Sequence, residues 1–190
     1  MRERRPGDWR VDLARRHPLE SFVEQAIDDH LTLTRLSSST QSLDRLDYQL
    51  LAPGERLVEL ELKAKHQPYQ GWSHLRPDVA ESDLFILDEL ATRKLLAAGR
   101  YATLLVRDIP TDRWVLWSTM DLFLADKTRY CRRLATGTDR VKAKLLYNLA
   151  DSSHHYDTIG DALDGLTALT SRIDRYWNAI EPWPTRQAAS

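Results

Sequence analysis

A chain of 190 residues with 42% hydrophobic content can bury one proper core, so a single folded unit with an appended region is the starting expectation. A net charge of −1 excludes a protein that coats polyanions by bulk charge, and no apolar run has the length of a membrane span or a signal peptide. The one cysteine, Cys131, excludes a disulfide framework, reads as a packing residue and fits a cytoplasmic location.

Pro18 opens a segment in which Leu19, Phe22, Val23, Ala26, Ile27 and Leu31 recur at helical spacing, a helix of about four turns that Ser37-Ser38-Ser39-Thr40 would end. A hairpin follows. Leu46, Tyr48 and Leu50 alternate with Arg45, Asp47 and Gln49, and Val58, Leu60, Leu62 and Ala64 alternate with Glu59, Glu61, Lys63 and Lys65. With Pro53, Gly54 and Glu55 as the loop, Ala52 pairs with Arg56 and Asp47 falls opposite Glu61, the two Cβ atoms roughly 5 Å apart. A one-residue slip would turn the charges into the core, so the apolar face fixes the register to an even step.

Residues 66–78 read as a loop rich in proline, glycine and polar aromatics, with Trp72, His74 and Arg76 placed to stack on a base or grip a phosphate, or to plug a sheet edge. Ser82 would cap a helix carrying Leu84, Leu87, Leu90, Ala91, Leu95 and Ala98 on one stripe, with Gly99 as its stop. Residues 101–106 and 114–119 are apolar, aromatic and β-branched, separated by Asp108-Ile-Pro-Thr-Asp112, and form a second hairpin. From Leu122 the chain reads as helical, ending in a stripe of Ile159, Ala162, Leu166, Leu169, Ile173, Tyr176 and Ile180 that tolerates Gly160 and Gly165. Pro182 and Pro184 close it, and residues 185–190 would fray.

Two carboxylates facing each other across a ladder need a cation between them. A divalent metal with the ammonium of Lys63 would supply it, and a hard ion such as magnesium, with manganese as a substitute, takes carboxylate oxygens, keeps waters and suits phosphodiester hydrolysis. The alternative is an ordinary amphipathic hairpin with a solvated, salt-bridged face.

Asp47, followed after thirteen residues by Glu61-Leu62-Lys63 within an apolar strand, resembles the D…(D/E)-x-K signature of the PD-(D/E)XK, restriction-endonuclease-like nuclease superfamily. Leu46 stands where the name-giving proline would be. The resemblance implies an α/β fold, an α-β-β-β-α-β sandwich core, here over residues 1–125, with a helical C-terminal extension over 126–190. Only two strands before the second helix are evident, so the third must come from residues 39–42 or from a longer ladder around Leu43.

What the resemblance implies for chemistry is a magnesium-dependent endonuclease acting on DNA. Asp47 and Glu61 would bind the metal, Glu24 of the first helix would complete the metal site, Lys63 would orient the attacking water, and Gln67 would touch a phosphate or that water. Lys65, Arg76, Lys127, Arg129, Arg132 and Arg133 would contact nucleic acid; the last four belong to a basic stretch that also holds Arg140, Lys142 and Lys144 against Asp139 alone. A second basic segment holds Arg2, Arg4, Arg5, Arg10, Arg15 and Arg16. His154 and His155 lack the spacing of a zinc site and read as a surface pair pointing apart. A homodimer or a protein partner on the C-terminal helix is expected, with no membrane. The competing class is a non-catalytic nucleic-acid-binding or assembly module on a degenerate nuclease fold.

Overall fold

The computed structural model describes residues 8–39, 45–133 and 141–179, and their side chains except at 8–17, 70, 132–133, 141–142 and 177–179. In chain order the elements are α1 (Asp8–Asp28), β1 (Thr34–Ser38), β2 (Tyr48–Ala52), β3 (Arg56–Lys65), β4 (Leu84–Asp88), α2 (Glu89–Ala97), β5 (Ala102–Asp108), β6 (Arg113–Ser118), α3 (Thr119–Leu124), β7 (Lys127–Arg133), β8 (Val141–Asn148), β9 (His155–Tyr156) and α4 (Ile159–Ala179). The fold is mixed α/β, and none of the described helices is long and apolar enough to cross a membrane.

Six strands form one sheet in the order β1-β2-β3-β5-β6-β9, and β4-β8-β7 form a second. Every pairing is antiparallel except β3 with β5. The hairpin register is the expected one: Ala52 pairs with Arg56 and Tyr48 with Leu60. The second hairpin also forms as expected, with Val106 opposite Val115 and Asp108 opposite Arg113. Ala102 through Val106 are all buried, as a central strand covered on both faces requires.

One face of the large sheet carries Tyr48, Leu50, Val58, Leu60, Leu62, Leu105 and Leu116, covered by Val23 and Ile27 of α1 and by Ala162, Leu163, Leu166 and Leu169 of α4. The opposite face carries Leu104, Val106, Val115 and Trp117, covered by Ala91 and Leu95 of α2, Leu122 of α3 and the inner side of the second sheet. There Trp117 meets Tyr147 edge-on, with ring centroids 5.8 Å apart, and joins the two sheets. The outer side of the second sheet packs Leu84 and Leu146 under Val79, Trp72 and Leu75.

Several elements differ from the sequence reading. The first helix ends at Asp28, not in the serine run, and Pro18 lies inside it; Ser37 and Ser38 belong to β1, which supplies the third strand upstream of the region expected to provide it. Residues 39 and 45 onward flank this strand's partner, and the remaining candidate positions near Leu43 lie outside the described residues. Arg35 fixes β1 on α1 by donating from Nε to Asp28 Oδ1 at 2.9 Å. Residues 84–88, expected as the first turn of a helix capped by Ser82, are the strand β4. Leu84 faces one core and Phe85 and Leu87 another, so the run is buried on both sides, a pattern that short apolar segments share between helices and strands. The helix begins at Glu89, and Gly99, at φ +100°, follows its end as the expected stop.

The helical character expected from residue 126 onward holds only in α4, because 127–133 and 141–148 are the strands β7 and β8. Thr128, Tyr130 and Val141 favour a strand, and Leu145 to Tyr147 are buried on both faces of β8. Leu46 packs beside Leu95 and Leu104, on the opposite side of the sheet from Tyr48 and Leu50 with which it was grouped. Cys131 is exposed and free rather than packed.

Gly165, inside α4, is explained by close approach: a Cβ there would overlap the hydroxyl and ring of Tyr156 from β9. An exposed or loosely packed helix glycine normally gains about 1 kcal/mol on change to alanine. Gly165→Ala is therefore expected to lower Tm in the wild-type chain and to raise it in a Tyr156→Ala background, a reversal of sign that circular dichroism melts would detect.

Candidate functional site

Asp47 immediately precedes β2, and its carboxylate does what a ladder carbonyl would otherwise do: the Leu62 N–H donates to Asp47 Oδ2 at 2.8 Å. On its other side the Ser39 N–H donates to the Asp47 carbonyl at 2.8 Å. Asp47 is thus held by its carbonyl at the end of β1 and by its carboxylate on β3, with 8% of the residue exposed.

Glu61, one position before Leu62, is 3% exposed on the face that α2 covers. Lys63 Nζ donates to Glu61 Oε1, donates to the Leu62 carbonyl at 3.1 Å and lies 3.7 Å from Asp47 Oδ2. The sequence-predicted trio of Asp47, Glu61 and Lys63 is therefore assembled, the two acids buried and bridged by the half-buried ammonium. Lys94 of α2, which the sequence reading missed, completes the cluster: its Nζ donates to the Arg45 carbonyl at 2.7 Å and lies 3.8 Å from Glu61 Oε2. The only sequence signal for it is its place beside Ala91 and Leu95 on the buried stripe of the helix.

Two acids and two lysines balance formally. Glu61 Oε2 is nevertheless buried without a hydrogen-bond donor. An orphaned carboxylate oxygen next to a second carboxylate is a donor set that fits a hard divalent cation, so Asp47 and Glu61 are compatible with magnesium. Glu24 does not join them. Ser38 Oγ donates to Glu24 Oε1 at 2.8 Å and Arg35 lies 3.5 Å from its Oε2, while α1 packs on the other face of the sheet. Among the described residues no three His, Cys, Asp or Glu side chains converge as a metal-binding group.

Gln67 is exposed in the loop past β3. Lys65, expected at a nucleic-acid surface, is fully buried: its Nζ donates to the Ser82 carbonyl and faces Asp108 Oδ1 at 3.4 Å. Burial pushes this ammonium below the usual lysine range, and Asp108 offsets part of that. Asp108 Oδ2 accepts from Thr111 at 2.6 Å and from Arg113 Nε at 3.2 Å.

Arg76 is likewise a buried strut, 4% exposed, donating to the Leu146 carbonyl at 3.2 Å and to Asp78 Oδ2 at 2.9 Å from its two terminal nitrogens. Lys127 caps the end of α3, donating to the carbonyls of Leu122, Phe123 and Ala125 at 3.0, 2.8 and 3.1 Å. Arg129 is exposed but paired with Glu89 at 2.9 Å. Arg132 and Arg133 lie on β7, with side chains outside those described, as are residues 1–7, the side chains of Arg10, Arg15 and Arg16, and Arg140. Trp72 plugs the outer side of the second sheet, edge-on to Tyr130 at 5.0 Å. His154 and His155 point apart, His154 Nε2 to Arg172 at 2.7 Å and His155 Nε2 to the Ser152 carbonyl at 2.7 Å.

An open depression of about 570 Å³ lined by His155, Asp161, Asp164 and Gly165 lies on the α4 side of the sheet, away from this cluster. Comparison with protein-family models, curated proteins and solved structures finds no match.

Two measurements follow from the placements of Lys65 and His154. Lys65→Ala leaves Asp108 buried with less compensation and is expected to cost about 3–5 kcal/mol in urea unfolding at pH 7. Burial, and after it the Arg172 guanidinium, hold His154 below its ordinary value of 6.5. The unfolded chain then binds this proton more readily than the folded one, so the contribution to stability is complete above pH 6.5 and is lost as pH falls below it. His154→Gln is expected to flatten that fall in the urea midpoint.

Proposed function

We propose that the protein is a divalent-metal-dependent nuclease of restriction-endonuclease-like type, acting on DNA. The observation that carries the reading is the convergence of Asp47, Glu61 and Lys63 at one point, two buried acids and a half-buried lysine in the order of the D…E-x-K resemblance. Support also comes from the order of elements. The large sheet and its helices follow α1-β1-β2-β3-α2-β5, with β3 and β5 parallel across α2; β4 is an insertion that belongs to the second sheet.

Asp47 and Glu61 would hold the ion, which when bound supplies Lewis-acid stabilisation to the scissile phosphate. Lys63, tethered at the Leu62 carbonyl, is placed to orient a water and to offset charge on the phosphate. Lys65, Arg76 and Lys127 are committed to internal bonds, so of the predicted set it is β7, an edge strand of the second sheet carrying Arg132, Arg133 and the exposed, Glu89-paired Arg129, that would meet a phosphate backbone.

One observation favours a second reading, a non-catalytic binding or assembly module on the same fold: the two acids already have two lysines as counter-charges. The two readings separate in a cleavage assay on plasmid, single-stranded and branched DNA with magnesium or manganese. The nuclease reading expects metal-dependent cutting that Lys63→Ala lowers at least roughly a hundredfold while manganese binding, followed by calorimetry, persists. Wild-type protein that neither cuts nor binds manganese would leave the module.

A further inference from the structure

Glu61 divides its two oxygens between two lysines from different elements. Oε1 accepts from Lys63, its neighbour on β3, whereas Oε2 has no hydrogen-bond donor and faces Lys94 of α2 at 3.8 Å. That separation is within strong Coulomb range and beyond hydrogen-bond length. Lys94 is held there by a second, independent contact, the 2.7 Å bond it donates to the Arg45 carbonyl two residues before Asp47. A lysine near a helix C-terminus ordinarily reaches solvent or the carbonyls of its own last turn. This one instead ties α2 to both acid-bearing segments.

We infer that Lys94 is a positioning residue, the built-in counter-cation of Glu61 Oε2, standing electrostatically where a divalent ion would act. Its bond to Arg45 places the charge, and the missing donor on Oε2 leaves that oxygen open to a competing cation. Around this oxygen the charged groups are Lys63 on β3, Asp47 ahead of β2 and Lys94 on α2, while β5 presents Leu104. Removing the Lys94 ammonium therefore weakens the metal-free protein and strengthens its hold on a divalent ion. A purely structural lysine would do the first without the second. The metal consequence rests on the nuclease reading; the pairing itself does not.

The test uses the full chain in two arms. Thermal unfolding with chelator present compares wild type, Lys94→Met, Glu61→Gln and the double variant. Lys94→Met is expected to lower Tm by about 2–4 °C alone and by less than half of that in the Glu61→Gln background. Calorimetric titration with manganese is expected to give a Kd roughly tenfold lower in Lys94→Met than in wild type, with Lys94→Arg returning to the wild-type value. An equal loss of Tm in both backgrounds overturns the pairing. Manganese bound equally or more weakly by Lys94→Met overturns the competition. Coupling in the melts with no manganese binding by any variant supports the pairing and removes the nuclease reading alone.

Discussion

The parallel pairing of β3 with β5 is the constraint from which the rest of the architecture follows. Two parallel neighbours cannot be joined by a tight turn, because the chain leaves one at its far end and must return to the near end of the other. Here the return runs through residues 66–101 and carries β4 and α2. That excursion lays α2 over the face of β3 that bears Glu61 and Lys63, which is how a helical lysine comes to stand beside Glu61. It also leaves β4 free to pair with β8, so the second sheet closes over the same face and Trp117 meets Tyr147 across the gap. Burial of the carboxylates is thus a consequence of topology, and their neutralisation by lysine is what makes that burial tolerable.

Charge on this face is arranged in rungs. Lys65, Asp108 and Arg113 lie side by side across β3, β5 and β6, with Asp83 accepting from Arg113 at 2.5 Å. Farther along β3, the pair of acids with Lys63 and Lys94 forms a second group. Between them the neighbours are Val106 and Val115, which contribute packing and no polarity. Each group leaves one buried carboxylate oxygen without a hydrogen-bond donor and facing a lysine, Asp108 Oδ1 toward Lys65 at 3.4 Å and Glu61 Oε2 toward Lys94 at 3.8 Å. The respect in which they differ is access: the side chains of Lys65 and Asp108 are fully buried, whereas those of Lys63 and Lys94 are 17% and 20% exposed, so a ligand can approach only the second group.

The β2–β3 hairpin was legible in the sequence because two local signals agree, a three-residue loop and a strict alternation whose slip by one residue would bury charge. The β5–β6 hairpin was readable from two apolar, β-branched and aromatic runs flanking a proline-containing turn, and α4 from its stripe at helical spacing. The failures fall where local signals are ambiguous or absent. Leu84 to Leu87 is an apolar run of four residues facing cores on both sides, and periodicity does not separate such a strand from the turn of helix that follows it. The strand β1 has no apolar stripe at all, since its inward positions Arg35 and Ser37 are polar and hold α1 and Gln49 by hydrogen bonds. In β7 the alternation is masked by basic residues, and Lys127 reads as surface charge although it serves as a helix cap.

Lys63 and Lys65 show how far spacing alone can carry a site. Both point to the same face of β3, two residues apart, and nothing local distinguishes them. Their difference is set by the strand alongside. Val106 is the neighbour of Lys63 and offers its ammonium no cross-strand partner, so the side chain turns back to Glu61, Asp47 and the Leu62 carbonyl. Asp108 is the neighbour of Lys65 and captures it, with the Ser82 carbonyl accepting a hydrogen bond from the same ammonium. One lysine is thereby left among the candidate metal ligands and the other is locked into the core. The motif D…E-x-K picks out two residues of β3 that the fold brings together with Asp47, but the apolar residue at 106 on a strand more than forty positions away is what leaves the second of them beside the first.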